Sequence, residues 1–145
     1  MTETKEAILV TIKAQRGISV KEKIQAHQDV ARATGSTYWG TGFTIASPPP
    51  LPFSLYAAVA RTGKVLYVSK AVGIERYRDK HRPVHPDISP HYYFPFGFPY
   101  RTYFRITELN QLAEPIPIHH LTKARDGTQV KRAPQGYVRI MDPLA

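Results

Sequence analysis

The chain has 145 residues, 42% hydrophobic and 21% charged, which fits one globular domain and excludes wholesale disorder. Lys plus Arg number 20 against 11 Asp plus Glu, a formal charge of +9 that points to a polyanionic partner, nucleic acid before an anionic membrane surface. No run of ~18 apolar residues occurs, so no transmembrane helix is expected, and the lack of cysteine excludes disulfides, thiol nucleophiles and Cys-ligated zinc.

Residues 1–6 are polar and read as a flexible start. The next segment, 7–14, is rich in aliphatic and β-branched residues and reads as a strand broken by Arg16-Gly17. Ser19 and Glu22 have the spacing of a capping box, and Val20, Ile24, His27 and Ala31 recur at helical spacing. A helix is predicted over 20–33, with Gly35 as its stop. Tyr38-Trp-Gly-Thr-Gly42 reads as a loop that exposes backbone donors and acceptors. The prolines of 47–52 exclude helix or central strand there, and the segment reads as a stiff crossing.

Residues 53–60 alternate and read as a strand, turning at Thr62-Gly63 into a longer one over 64–77. Leu66, Val68, Val72 and Ile74 are expected on one face of it, Val65, Tyr67 and Ala71 on the other. Gly73 is expected to mark a bulge or a close backbone approach. A long Pro-rich connection over 79–99 leads to a strand over 100–109, with Tyr100, Phe104 and Ile106 opposite Arg101, Tyr103 and Arg105. A short extended 115–118 and a last strand over 137–140 complete the chain. These elements predict an α+β fold: one domain over 1–145, a small, strongly bent or closed β-barrel of five to six strands with one or two flanking helices.

The charge is concentrated in the second half, with 14 basic and 7 acidic residues over 61–145 against 6 and 4 before. Two clusters stand out: Arg76, Arg78, Lys80 and Arg82, and Lys123, Arg125, Lys131 and Arg132. Together with Arg101 and Arg105 they are the candidate phosphate contacts; solvated surface charge is the alternative. Six aromatics lie within 92–100, and Tyr92 and Tyr93 are candidates to stack on an unpaired base or to plug the fold. Trp39, the only tryptophan, offers a flat wall beside Gly40 and Thr41, or else a core side chain.

His81, His85 and His91 could mark a metal-dependent nuclease, but Pro83 breaks the helical spacing and no established metal motif occurs. No metal or cofactor is therefore expected. The scattered carboxylates and the lack of a nucleophile motif argue against an enzyme. The apolar stretch Ala7–Ile12 is too short for a signal peptide, and a soluble, cytoplasmic protein is expected. Thirteen prolines, one asparagine and no cysteine fit a heat-adapted protein.

Three pieces carry a family resemblance: Tyr38-Trp-Gly-Thr-Gly42, the strand Val65-Leu-Tyr-Val-Ser-Lys-Ala-Val-Gly-Ile74, and Pro99-Tyr-Arg-Thr-Tyr-Phe-Arg-Ile106. In this order, behind a first strand and helix, they resemble the EVE domain of the PUA-like superfamily, related to the YTH readers of methylated adenine. The resemblance covers about residues 7–118. It implies a barrel with an aromatic pocket for one base, often methylated, flipped from DNA or exposed in RNA. Tyr38, Trp39, Gly40 and Thr41 would line that pocket, with Tyr92 or Tyr93 opposite. The chain departs from the pattern in lacking an Asn or Asp at the place that reads the base edge in YTH-type pockets; Asn110 lies past the Tyr-Arg strand. The expected function is a nucleic-acid-binding module that holds a single flipped or unpaired base, plain or methylated, in an aromatic pocket, with a basic surface on the phosphates. The alternatives are a PUA- or ASCH-like RNA-binding domain without base selectivity, and the small nuclease.

Overall fold

Strand β1 (Glu6–Ile12) is buried along nearly its whole length, as its aliphatic residues, interrupted only by Thr11, require. The computed structural model describes residues 5–15, 17–81, 90 and 100–145. Helix α1 (Val20–Thr34) follows, and its capping box is formed: Glu22 N donates to Ser19 Oγ at 3.1 Å, and Ser19 N to Glu22 Oε1 at 3.2 Å. Gly35 ends the helix in the left-handed conformation, φ 94°, with its N–H on Ala31 O. The remaining strands are β2 (Thr37–Thr41), β3 (Phe53–Val59), β4 (Lys64–His81), β5 (Tyr100–Pro117) and β6 (Tyr137–Met141).

They form one six-stranded sheet in the order β2-β5-β4-β3-β1-β6. β1 and β3 run parallel and the other pairs are antiparallel. The fold is thus α+β with one helix and a mixed sheet. The expected closure into a barrel is corrected to an open sheet, because β2 and β6 are its ends and do not pair with each other. The sheet is nevertheless curled. Flat, its two ends would lie about 24 Å apart. Yet Phe43, just past β2, packs so closely on Gly136, just before β6, that a Cβ there would lie 2.6 Å from Phe43 Cδ2. The chain after β2 acts as a strap: Thr102 Oγ1 donates to Phe43 O, Arg76 to Ile45 O and Ala46 O, and Arg139 to Ser47 O.

Three expectations change. Residues 37–41 are an edge strand and not a loop, since the β-branched and aromatic Thr-Tyr-Trp run pairs with β5. The strand expected over 100–109 continues without a break to Pro117, taking in the short extended segment. The β3 alternation pointed to one buried face, but Tyr56 and Ala58 are as buried as Leu55 and Ala57, because β3 is central and covered on both sides.

The two sides of the sheet carry separate cores. On the first, Ile8, Val10, Leu55, Ala57, Trp39 and Phe104 pack with Ile24 of α1. On the second, Leu9, Tyr56, Ala58, Val65 and Ile140 are covered by Ile118, Leu121 and Val130. Bulges in β4 switch its residues between these sides. Val65 joins the second core and Tyr67 the first, because the register shifts between them. Of the two alternatives for Gly73 the bulge holds: the register shifts between Ala71 and Gly73, while a Cβ there would make only ordinary contact with the Arg105 stem, 3.5 Å from Arg105 Cβ.

Candidate functional site

Edge strand β2 decides where its aromatic residues go, since neighbours on a strand point to opposite sides. Trp39 points into the first core and is only 6% exposed. Its indole stacks on His27 of α1, centroids 4.9 Å apart and planes at 21°. Thr41 is buried and Gly40 half-buried. Tyr38 points the other way and meets the edge of Tyr103 at 5.8 Å, with Ala26 of α1 beside them. The helix thus grips β2 from both sides. Of the residues expected around a base, Tyr38 and Trp39 are separated by the sheet, while Tyr92 and Tyr93 lie outside the described residues.

The helix side of Trp39 holds two titratable groups one turn apart. Burial first, then the charge of Lys23, push the His27 imidazole down to about 3, against the opposing hydrogen bond to the Tyr38 backbone. Burial, then Lys13, lowers the Lys23 ammonium to about 8. Its Nζ donates to Gln15 Oε1 at 3.2 Å. Both residues read from the sequence as ordinary helix positions. Only the second strand that covers them makes them unusual.

The second side of the β2-β5-β4 ribbon is polar and aromatic. Pairing places Tyr38 opposite Arg105 and Arg105 opposite Gly73, with Tyr103 between Gly40 and Glu75. Tyr77 Oη donates to Glu75 Oε2 at 3.3 Å. Burial, and then hydrogen bonding to Glu75, raise the Tyr38 hydroxyl well above the usual phenol range, and burial with the Glu75 charge raises Tyr77. Arg105 Nε donates to Ser36 Oγ at 2.9 Å. Arg105 and Arg101 are exposed on this side, so a tyrosine-carboxylate patch is flanked by two guanidinium groups. Sequence reading missed Glu75 and Ser36. The only signal for Glu75 was its i, i+2 spacing to Tyr77, which gains meaning once β4 is known to pair with β5.

The basic residues expected to form one phosphate stripe are divided. Arg76 pairs with Thr102, on the side opposite Arg105, and its guanidinium is engaged with Ile45 O at 3.0 Å and Ala46 O at 3.2 Å. Arg78 is exposed on β4, Lys80 lies on the same strand, and Arg82 is outside the described residues. The second cluster is elsewhere. Lys123 bridges to Ile140 of β6, at the far end of the strand order from β2. Its turn is held by Asp126, which accepts from Thr128 N and Oγ1, bonds that keep its carboxyl below the usual range. Arg125, Lys131 and Arg132 are exposed on this same covering segment.

Among the described residues no group of three His, Asp or Glu side chains could hold a metal ion. His119 and His120 meet edge to face in an exposed turn; His85 and His91 lie outside the described residues. No helix among the described residues is long and apolar enough to cross a membrane. Comparison with protein-family models and with curated proteins finds no match.

Proposed function

We propose that the protein is a nucleic-acid-binding module that holds phosphates on the exposed arginines of the β4-β5 ribbon and engages a single base, plain or methylated, beside them. One observation carries the reading: Arg101 and Arg105 stand exposed on the same side of the sheet as the half-buried Tyr77, which is backed by the buried rings of Tyr38 and Tyr103. Cations beside an accessible aromatic ring are the combination that single-stranded or flipped nucleotides need, charge for the backbone and a π-face, here that of Tyr77, for the base. Over 70–81 and 100–107 the basic residues are Lys70, Arg76, Arg78, Lys80, Arg101 and Arg105, against Glu75 and Asp79 alone. Tyr92, Tyr93 and Arg82 lie between β4 and β5 in the sequence, outside the described residues.

On this reading the curled sheet is a PUA-like fold of the EVE type, supported by the order of β1, α1, the Tyr-Trp-Gly edge strand and the Tyr-Arg strand. Trp39 then serves by bracing β2 beneath the binding side. On this reading the protein needs no catalytic residue, metal or cofactor of its own, and it works in the cytoplasm.

The test is anisotropy of labelled single-stranded and duplex oligonucleotides, methylated and plain, over a salt series. Each phosphate contact is expected to contribute roughly 0.7 (single strand) to 0.9 (duplex) to the log–log slope. Affinity that does not respond to salt would remove the ribbon from the account.

A further inference from the structure

The side of the sheet that carries Arg101 and Arg105 runs on into a groove of about 920 Å³, a size that small organic ligands fill. Thr107 lies two residues from Arg105 on β5 and pairs with Lys70, so Lys70 shares that side. Ser54, paired with Lys70, and Asn110, paired with Val68, line the groove with it. Facing them is an apolar wall, Pro49–Pro52, in which Leu51 is 47% exposed.

Between Lys70 and Asn110 the ladder is interrupted, and Glu108 takes φ 55°, the left-handed region that a non-glycine residue rarely adopts. Such backbone conformations concentrate at ligand sites. The interruption also sets Asn110: its Nδ2 donates to Glu108 O at 3.1 Å. That bond orients the carboxamide and leaves its Oδ1 and second N–H for another partner. The charges at the far end of the groove are already engaged, Arg139 with Glu6 and Asp142 with the Tyr56 hydroxyl at 2.5 Å. Lys5, Lys70 and Glu108 have no side-chain hydrogen bond or ion pair among the described residues.

We propose that this groove takes up one unpaired base of the strand whose phosphates lie on Arg101 and Arg105, and that Asn110 selects an edge with an amino donor beside a ring-nitrogen acceptor, as in adenine and cytosine. The inference rests on the nucleic-acid reading above. The amide pairs as it does with adenine in duplex readers: Oδ1 accepts from the exocyclic amine and the remaining N–H donates to the ring nitrogen. With the exocyclic group held against Oδ1, uracil and thymine place a carbonyl there and an imino N–H beside it, which is the reverse pattern. The proline wall covers the face of the base, and Lys70 meets the adjoining phosphate.

The experiment is anisotropy of the full chain with eight-nucleotide oligo-dA, oligo-dC and oligo-dT, repeated for Asn110→Ala, Asn110→Asp and Arg101→Ala. Oligo-dA and oligo-dC are expected to bind more tightly than oligo-dT. Asn110→Ala is expected to weaken them roughly 5- to 150-fold, the range of one bidentate base contact, leaving oligo-dT unchanged. Asn110→Asp, of the same shape, should lose the same preference because it lacks the N–H, and an unchanged Tm of Asn110→Ala in thermal melting separates recognition from folding. Arg101→Ala should weaken all three alike. Equal affinity for the three oligonucleotides, indifferent to Asn110 but sensitive to Arg101, would overturn the groove and leave the nucleic-acid reading standing. No binding by any of them would overturn both.

Discussion

Trp39 and His27 form the most consequential pair of side chains in the protein, because each closes the other off from water. Removing the indole would leave a cavity in the first core, so Trp39→Ala is expected to cost ~3–5 kcal/mol. Calorimetric melting should show a large fall in Tm, with methylated and plain oligonucleotides losing affinity together. An unchanged Tm with selective loss of one ligand would instead make Trp39 a base reader. His27 adds a pH dependence whose sign follows from its lowered pKa. Above 6.5 the imidazole is neutral in both states. As pH falls from 6.5 towards about 3, the unfolded chain takes up a proton that the folded chain refuses. Stability should therefore drop through that window by up to about 1.4 kcal/mol per pH unit. Urea denaturation at pH 7, 5.5 and 4 checks this, and His27→Phe should flatten the profile. Lys23 works at the other end: its ammonium is lowered from 10.5 to about 8, so stability should rise as pH climbs between those values, and Lys23→Met should remove the rise.

Elements with local signals were legible in the sequence. The Ser19-Glu22 spacing and Gly35 fix both ends of α1, and Ser19→Ala is expected to cost about 1 kcal/mol in thermal or urea unfolding. Thr62-Gly63 closes the β3-β4 hairpin where expected, with Arg61 and Gly63 both at positive φ. What the sequence hid depends on long-range pairing. The Tyr38–Gly42 run looked like a loop because its two glycines suggest turns, and only β5 makes 37–41 a strand. Bulges hid the rest, since simple alternation along β4 cannot say that Val65 and Tyr67 serve different cores. The same pairing sorts the arginines. Arg101→Ala should lower the salt slope by roughly 0.7 on single strands and leave Tm unchanged. Arg76→Ala should instead lower stability by about 1.5 kcal/mol, since its guanidinium holds two carbonyls of the strap. Salt titration and melting on the same two variants distinguish these roles.

The whole molecule is organised around β1, which pairs with β3 in parallel and with β6 from the other end of the chain. Neither contact is local, so the sheet is completed only by both ends of the chain. A chain ending before residue 137 would bare one edge of β1 and remove Ile140 from the second core. Such a truncation is expected to lose its cooperative unfolding transition, as read by circular dichroism on heating. The strap between β2 and β3 has a different consequence. It is tied to β5 through Thr102, to β4 through Arg76 and to β6 through Arg139, while the sheet beneath it stays open. It therefore behaves like the string of a bow, and the number of residues between Gly42 and Pro48 sets how far the limbs are drawn. Slack added there would let the bow straighten and carry Arg139, the end of the groove, away from the ribbon where Arg101 and Arg105 stand; shortening would bend the two towards each other. The distance between the ribbon and the far end of the groove is, in that sense, written in the length of a segment that belongs to neither.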